Sequence, residues 1–296
     1  MTRETPANSG RGTNEFRIEQ LTESHRFDGE LAELLTQFQY REDGITLTAA
    51  EPRPLPPDSV TPTTAGLTAV FEAGSSLVFI CYDDREHTMV NPIETVLIDA
   101  LTGAVHHEPS PRPDGGTGSP LGEGQAVDAH PARPRDQPGP EMDESLSMGV
   151  VTPHNAQRGA LNAVLPDAVT ANTVEKYQGG ERDIIAVSAT VSDPQFARKE
   201  ERFILNPRRL LVAISRSKVM TIVVCSTALF EVAPQDSDRL DDGPVWTRLF
   251  TLAVGRDPPP AWAGPLGEFI GDNETEHATV PVQVYPSTVD PDGGDQ

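Results

Sequence analysis

At 296 residues the chain has room for one large domain or two small ones, and 36% hydrophobic residues support a core that part of the chain must lie outside. The formal charge of −22, with lysine only at Lys176, Lys199 and Lys218, is of the kind that molar salt screens, and it points to a salt-adapted cytoplasm rather than to an acidic ligand-binding role. There is no basic-plus-apolar leader and no run of 18 apolar residues, which excludes a membrane span and places the expected protein in the cytoplasm.

Residues 1–15 are polar and read as a loose tail. Leu31, Leu34, Leu35 and Phe38 recur at helical spacing after residue 29, and the Pro- and Thr-rich stretch Glu51–Thr64 reads as an extended surface loop. Ser76–Cys81 predicts a short buried strand. Asn91–Leu101 predicts a helix with Pro92 in its first turn and Ile93, Val96, Leu97 and Leu101 facing inward. Between 106 and 147 the composition collapses into Pro, Gly, Asp, Ser and Arg, which predicts a disordered insertion. Met148–Thr152 resumes as a buried strand, followed by a helix over Ala156–Leu165 with Ala156, Ala160, Leu161 and Val164 on one side. Strand and helix signals alternate from there to Phe230, the pattern of a parallel sheet with crossover helices. Val245–Val254 reads as a further amphipathic helix, and 257–296 as a loose acidic tail, so the domain is expected over 16–256. Cys81 and Cys225 lie within apolar runs and read as buried, reduced thiols.

Chemistry concentrates in Thr173–Cys225, where two apolar runs each adjoin a cluster of Gln, Glu and Arg. Polar groups at the ends of parallel strands are where open α/β sheets keep ligand sites. Gln178-Gly179-Gly180 forms a flexible turn whose N–H groups can approach a phosphate, and Glu181 and Asp183 can accept from ribose hydroxyls or hold an arginine. Arg216 follows the apolar segment Leu210–Ile214, so its charge needs a partner: an acid such as Glu181, or a phosphate that its guanidinium forks onto. Arg26 also stands alone among apolar neighbours, while Arg208 and Arg209 read as solvated or facing nucleic acid. No lysine follows a glycine, so Gly-x-x-x-x-Gly-Lys-Ser/Thr is absent. Asp143-Glu144 follows no apolar strand and His106-His107 lacks further ligands, so no metal site is expected.

Thr173–Asp183 resembles motif V of superfamily 1 DNA/RNA helicases, Thr-Val-Asp-Lys-Phe-Gln-Gly-x-Glu-x-Asp, and Val212–Lys218 is similar to motif VI, Val-Ala-Leu-Thr-Arg-Ala-Lys. Gly149–Gln157 is similar to the family's Gly-Val-Ile-Thr-Pro-Tyr-x-x-Gln element. Leu21–Leu31 resembles Leu-Thr-x-x-Tyr-Arg-x-x-x-x-Leu near the start of the second motor domain. Four elements in the family's order imply a RecA-like α/β domain, a parallel sheet flanked by helices: the C-terminal motor domain of a P-loop NTPase without its Walker A. The implied branch includes the nonsense-decay and Okazaki-processing helicases. The resemblance implies that Arg216 and Arg26 reach the γ-phosphate of ATP and that Glu181 lies by the ribose. Gln178 and Gly179 would couple nucleotide state to the strand surface, and Thr173 and Thr152 would touch the nucleic-acid backbone. Departures are Glu175 for Asp, Ser215 for Thr, Leu211 for Asn and His25 for Tyr.

The expected function is therefore the C-terminal half of an ATP-dependent helicase, whose first motor domain, encoded elsewhere, binds most of the ATP and Mg2+. The expected partners are single-stranded DNA or RNA and that first domain, with no membrane. Alone, the chain is expected not to turn over ATP. The alternatives are a truncated, inactive half that only binds nucleic acid or protein, or a nucleotide-dependent transferase. The transferase would need a Gly-rich turn after Cys81 or Thr152, and none is present.

Overall fold

The computed structural model describes residues 23–24, 27–40, 44–49, 53–106, 146–177, 180–233 and 244–290. The expected tail 1–15 and residues 107–145 of the expected insertion lie outside that set. In chain order the elements begin with a two-residue strand β1 (Glu23–Ser24), then α1 (Gly29–Leu35), a π-helical turn (Thr36–Tyr40) and β2 (Thr48–Ala49), which pairs in parallel with β1. Next come α2 (Ala65–Phe71), β3 (Leu77–Tyr82), α3 (Pro92–Val105), β4 (Met148–Thr152), α4 (Asn155–Val164) and β5 (Thr170–Thr173). The second half holds β6 (Arg182–Ser188), α5 (Pro194–Lys199), α6 (Glu201–Ile204), α7 (Pro207–Ile214) and β7 (Ser217–Ser226). It closes with α8 (Val245–Val254), β8 (Trp262–Pro265), α9 (Leu266–Ile270) and β9 (Pro281–Pro286).

β3, β4 and β6 are apolar almost throughout because both their faces are covered, the signature of a parallel sheet sandwiched by helices. Along β6, Ile185 and Val187 join the core under α1, α7 and α8, while Ile184 and Ala186 point to the opposite core under α2, α3, α4 and α9. The sheet order is β5-β4-β6-β7-β3-β9-β8; the first five strands run parallel, and β9 and β8 are antiparallel to their neighbours. The chain is therefore a RecA-like α/β domain of the expected class. Three helices start alike: Asn91, Asp193 and Asn206 each accept two backbone N–H bonds at the cap, and a proline follows at the first helical position. That device places α3, α5 and α7 at defined points on the sheet rim.

Several expectations are corrected by packing. Of the expected tail 257–296, the described residues 257–290 are not loose: β9 pairs with β3, β8 pairs with β9, and Val282, Val284, Leu266 and Phe269 are fully buried. Without them the outer edge of β3 would expose a row of unpaired backbone groups. On α4 the inward residues are Gln157 and Leu161; Val164 is 51% exposed and Ala156 faces solvent. On α3 the carboxyl of Glu94 is buried where Val96 was expected, and Val96 is only half-buried. Cys81 and Cys225 are buried free thiols, opposite one another on β3 and β7.

Candidate functional site

Two opposite rims of the sheet carry the residues that matter. At the amino-terminal rim, Arg182 is registered with Ser217, so Glu181 and Arg216 come side by side just ahead of β6 and β7. The Arg182 N–H donates to the Arg216 carbonyl at 3.3 Å, and Arg182 Nη1 donates to the Glu181 carbonyl at 2.8 Å. β7 contains one extra residue here, since Ile184 pairs with Met220; such a bulge re-aims the residues beside it. Arg216 is half-buried, and its Nε donates to the Val212 carbonyl at 3.0 Å. That bond occupies one of the free carbonyls at the end of α7, where a cation is also favoured by the helix dipole. The guanidinium is thereby held at the rim.

Asp183, weighed above as a ribose acceptor, is used structurally. Its Oδ2 accepts from the Ser147 N–H at 2.9 Å and the Ser147 hydroxyl at 2.5 Å, tying β6 to the start of β4. Burial raises the pKa of this carboxyl, but the two Ser147 bonds outweigh burial and leave it below the ordinary aspartate value.

The loop from Thr173 to Glu181 returns from the carboxyl rim to the amino rim. The Thr173 carbonyl accepts from both Lys176 and Tyr177 N–H groups, and Gly180 N–H donates to the Tyr177 carbonyl, each at 3.0 Å. Tyr177, 5% exposed, lies on Gly149 of β4: a Cβ there would meet the tyrosine hydroxyl at 1.7 Å. Gly149→Ala is therefore expected to push the ring out and displace the loop, at a cost of about 1–3 kcal/mol. A chemical-denaturation midpoint equal to wild type would show that the ring does not rest on this glycine.

At the carboxyl rim, Thr152 and Thr173 are register partners on β4 and β5. Val151 aligns with Val187, five residues along β6 from Arg182, so roughly 20 Å of strand separates Thr152 from the Arg216 rim. Both threonines are buried, Thr152 at 0% exposure with its hydroxyl 2.9 Å from that of Thr190. The Thr152 hydroxyl is thus turned inward, toward Thr190, rather than offered at the rim.

It belongs to a polar cluster that the sequence reading missed. Glu94 accepts from the Tyr82 hydroxyl at 2.7 Å, the Ser188 hydroxyl at 2.5 Å and the Thr190 N–H at 2.8 Å. Asn91 donates to the Tyr82 hydroxyl and the Thr190 carbonyl, and its own N–H bonds Gln157 Oε1 at 2.8 Å. Thr190 adopts φ +67, a left-handed conformation costly for a β-branched residue and held here by these bonds. Burial pushes the Glu94 pKa up to about 7 against the hydrogen bonds that lower it. The available signal was the pair Asn91-Pro92 followed by Glu94, an N-cap with an acid in the first turn.

Of the expected site residues, the structure brings Glu181 and Arg216 together at one rim, and Thr152 and Thr173 together at the other. Arg26, Gln178 and Gly179 lie outside the described residues. Among the described residues no group of three or more His, Cys, Asp or Glu side chains could hold a metal ion, and no helix is long and apolar enough to cross a membrane.

A family described as an AAA domain matches residues 137–228, which hold β4 to β7. The chain is 35% identical over 83 residues to the DNA polymerase alpha-associated DNA helicase A of Saccharomyces cerevisiae, covering 26% of this chain and 12% of that protein. It is 34% identical over 93 residues to the probable RNA helicase armi of Drosophila melanogaster, covering 29% and 8%. To the regulator of nonsense transcripts 1 homolog of the same fly it is 33% identical over 87 residues, covering 26% and 7%. The chain thus spans between 7% and 12% of the length of these relatives. These likenesses support a helicase-type domain.

Proposed function

We propose that the chain is the second of the two RecA-like motor domains of an ATP-dependent superfamily 1 helicase acting on DNA or RNA. In this reading it offers Arg216, with Arg26, to a triphosphate whose Mg2+ and phosphates are held mainly by a first motor domain on another segment or chain. The observation that carries the reading is the placement of Glu181 beside Arg216 at the amino rim. Open α/β sheets bind ligands at the carboxyl ends of their own strands. A fixed guanidinium and an acid at the opposite rim suit a ligand bound by somebody else's strands.

ATP supplies the phosphoryl group and Mg2+ neutralises part of its charge. This chain's part is to bring an arginine to the charge that builds on the γ-phosphate, and to keep Glu181 within reach of the ribose. In this reading Gln178 and Gly179, which follow Tyr177 in the sequence, would pass a shift at the amino rim on to Thr173 at the other. Opening and closing of the cleft would then move the domain along a single strand.

Mixing tests this directly. The chain alone is expected to hydrolyse no ATP, whereas addition of a superfamily 1 first motor domain is expected to restore hydrolysis stimulated by single strands. Phosphate release by the purified chain alone, unchanged when that domain is added, would refute the division of labour.

A further inference from the structure

With Thr152 and Thr173 buried, the carboxyl rim needs another surface if a strand is to cross this domain. We propose that the exposed faces of α5, α6 and the start of α7 form that track, gripping the phosphodiester backbone through Lys199, Arg202 and Arg208. This rests on the helicase reading of the preceding section.

Charge distribution is the first support. In a chain of net charge −22, the stretch 202–230 carries no acid at all, yet it holds Arg202, Arg208, Arg209, Arg216 and Lys218. Arg198 and Lys199 come just before, against Glu200 and Glu201. Selection of a solvated acidic surface explains the rest of the chain but not this gap.

Placement is the second. β6 ends at Ser188, so α5 starts at the carboxyl rim, and α7 runs back from that rim to Arg216 at the other. Lys199, Arg202 and Arg208 are exposed. The Arg209 guanidinium lies 4.0 Å from the centre of the Phe203 ring and pairs with Glu175 of the returning loop. Phe203 in turn stacks on His154, with ring centres 5.6 Å apart and planes 29° apart. Phe203 is thus covered by its own neighbours, and its part is to fix the basic side chains of the strip in place, while the positively charged groove that tracks a single-strand backbone comes from Lys199, Arg202 and Arg208. The stack also fastens the strip to two segments of the rim: the turn after β4 through His154, and the Thr173–Glu181 loop through Glu175. A bound backbone would therefore sense movement of the loop that ends at Glu181.

The overall negative charge does not forbid this. At physiological ionic strength the screening length is about 8 Å, so contacts at the strip outweigh acids on distant surfaces.

The test is fluorescence anisotropy of the whole chain with labelled oligo-dT and oligo-U of about 20 nucleotides, titrated between roughly 50 and 200 mM salt. The triple variant Lys199→Glu, Arg202→Glu, Arg208→Glu is expected to weaken binding at least tenfold at the low-salt end. It should also flatten the plot of log affinity against log salt by about 2, three contacts at ~0.7 each. Arg256→Glu, one charge reversal of the same kind at an exposed site past α8, should leave binding unchanged. Circular dichroism melts establish that the variants fold. Binding by the wild-type chain that the triple variant retains would overturn the track while leaving the helicase reading standing. A wild-type chain that binds neither oligonucleotide would overturn the nucleic-acid reading itself. Poly-glutamate competing as well as oligo-dT would also overturn the track, and assign the strip to an acidic protein partner.

Discussion

In a pair reconstituted from this chain and a first motor domain, Arg216→Ala is expected to lower the kcat of ATP hydrolysis by about 10³-fold or more, the scale on which an arginine finger acts. KM for ATP should change little, because the proposed binding groups lie mostly on the other domain, and an interaction made chiefly in the transition state is lost from kcat. Arg216→Lys should recover only a small part, since an ammonium cannot reproduce the planar fork that spans two phosphate oxygens. The alanine change also removes the Nε bond to the Val212 carbonyl, at a cost of about 0.5–1.5 kcal/mol. Unfolding must therefore be followed in parallel, so that loss of turnover is not read from loss of fold. Single-strand affinity should be unaffected, because Arg216 lies at the rim opposite the proposed track. Wild-type turnover by the alanine variant would remove Arg216 from the mechanism.

Glu94→Leu is expected to destabilise the domain by about 3–5 kcal/mol. It would strip an acceptor from the Tyr82 and Ser188 hydroxyls and the Thr190 N–H, and a buried donor left unpaired costs about 1–3 kcal/mol. Glu94→Gln keeps the shape and most of the bonds while removing the titration, so it isolates the pH effect. Burial raises the folded pKa of the carboxyl to about 7 from the ordinary glutamate value of 4.5, so the folded state holds a proton more tightly than the unfolded one. Its contribution is then most favourable below the unfolded value and is lost as pH rises through the window from 4.5 to about 7. A shift of that size corresponds to about 3 kcal/mol. Other groups slope the opposite way. Burial depresses His154 and His106, which favour the fold as pH rises toward 6.5. Asp84 and Asp183, held down by hydrogen bonds against burial, lose stability only as pH falls through folded values below 3.8. The discriminating quantity is thus the difference between wild type and Glu94→Gln, measured by urea denaturation at pH 5 and above. If that difference stays flat with pH, Glu94 is not the titrating group.

Much of the architecture is legible in short-range pattern. The apolar runs Leu77–Tyr82, Met148–Thr152 and Ile184–Ser188 read as strands because each is buried on both faces, and the caps at Asn91 and Asn206 announce helices within two residues. Arg216 is equally visible, as a lone charge next to Leu210–Ile214. Such signals depend on residues within a turn or two of one another, and a linear reading captures them.

What only the tertiary structure decided depends on contacts far apart in the chain. Val280–Tyr285 alternates like a strand, but its pairing partner is β3, some two hundred residues earlier, and so it reads in isolation as tail. Asp183 looks like a ligand-seeking acid until Ser147 is brought beside it by the β4–β6 register. Thr152 can be placed at a strand end from the sequence, but only the fold shows that its hydroxyl is taken up by Thr190. The rim on which each polar cluster stands was decided in the same way. Residues alone mark a loop as polar, but strand direction and crossover set whether it opens beside the carboxyl or the amino ends, and both are properties of the assembled sheet.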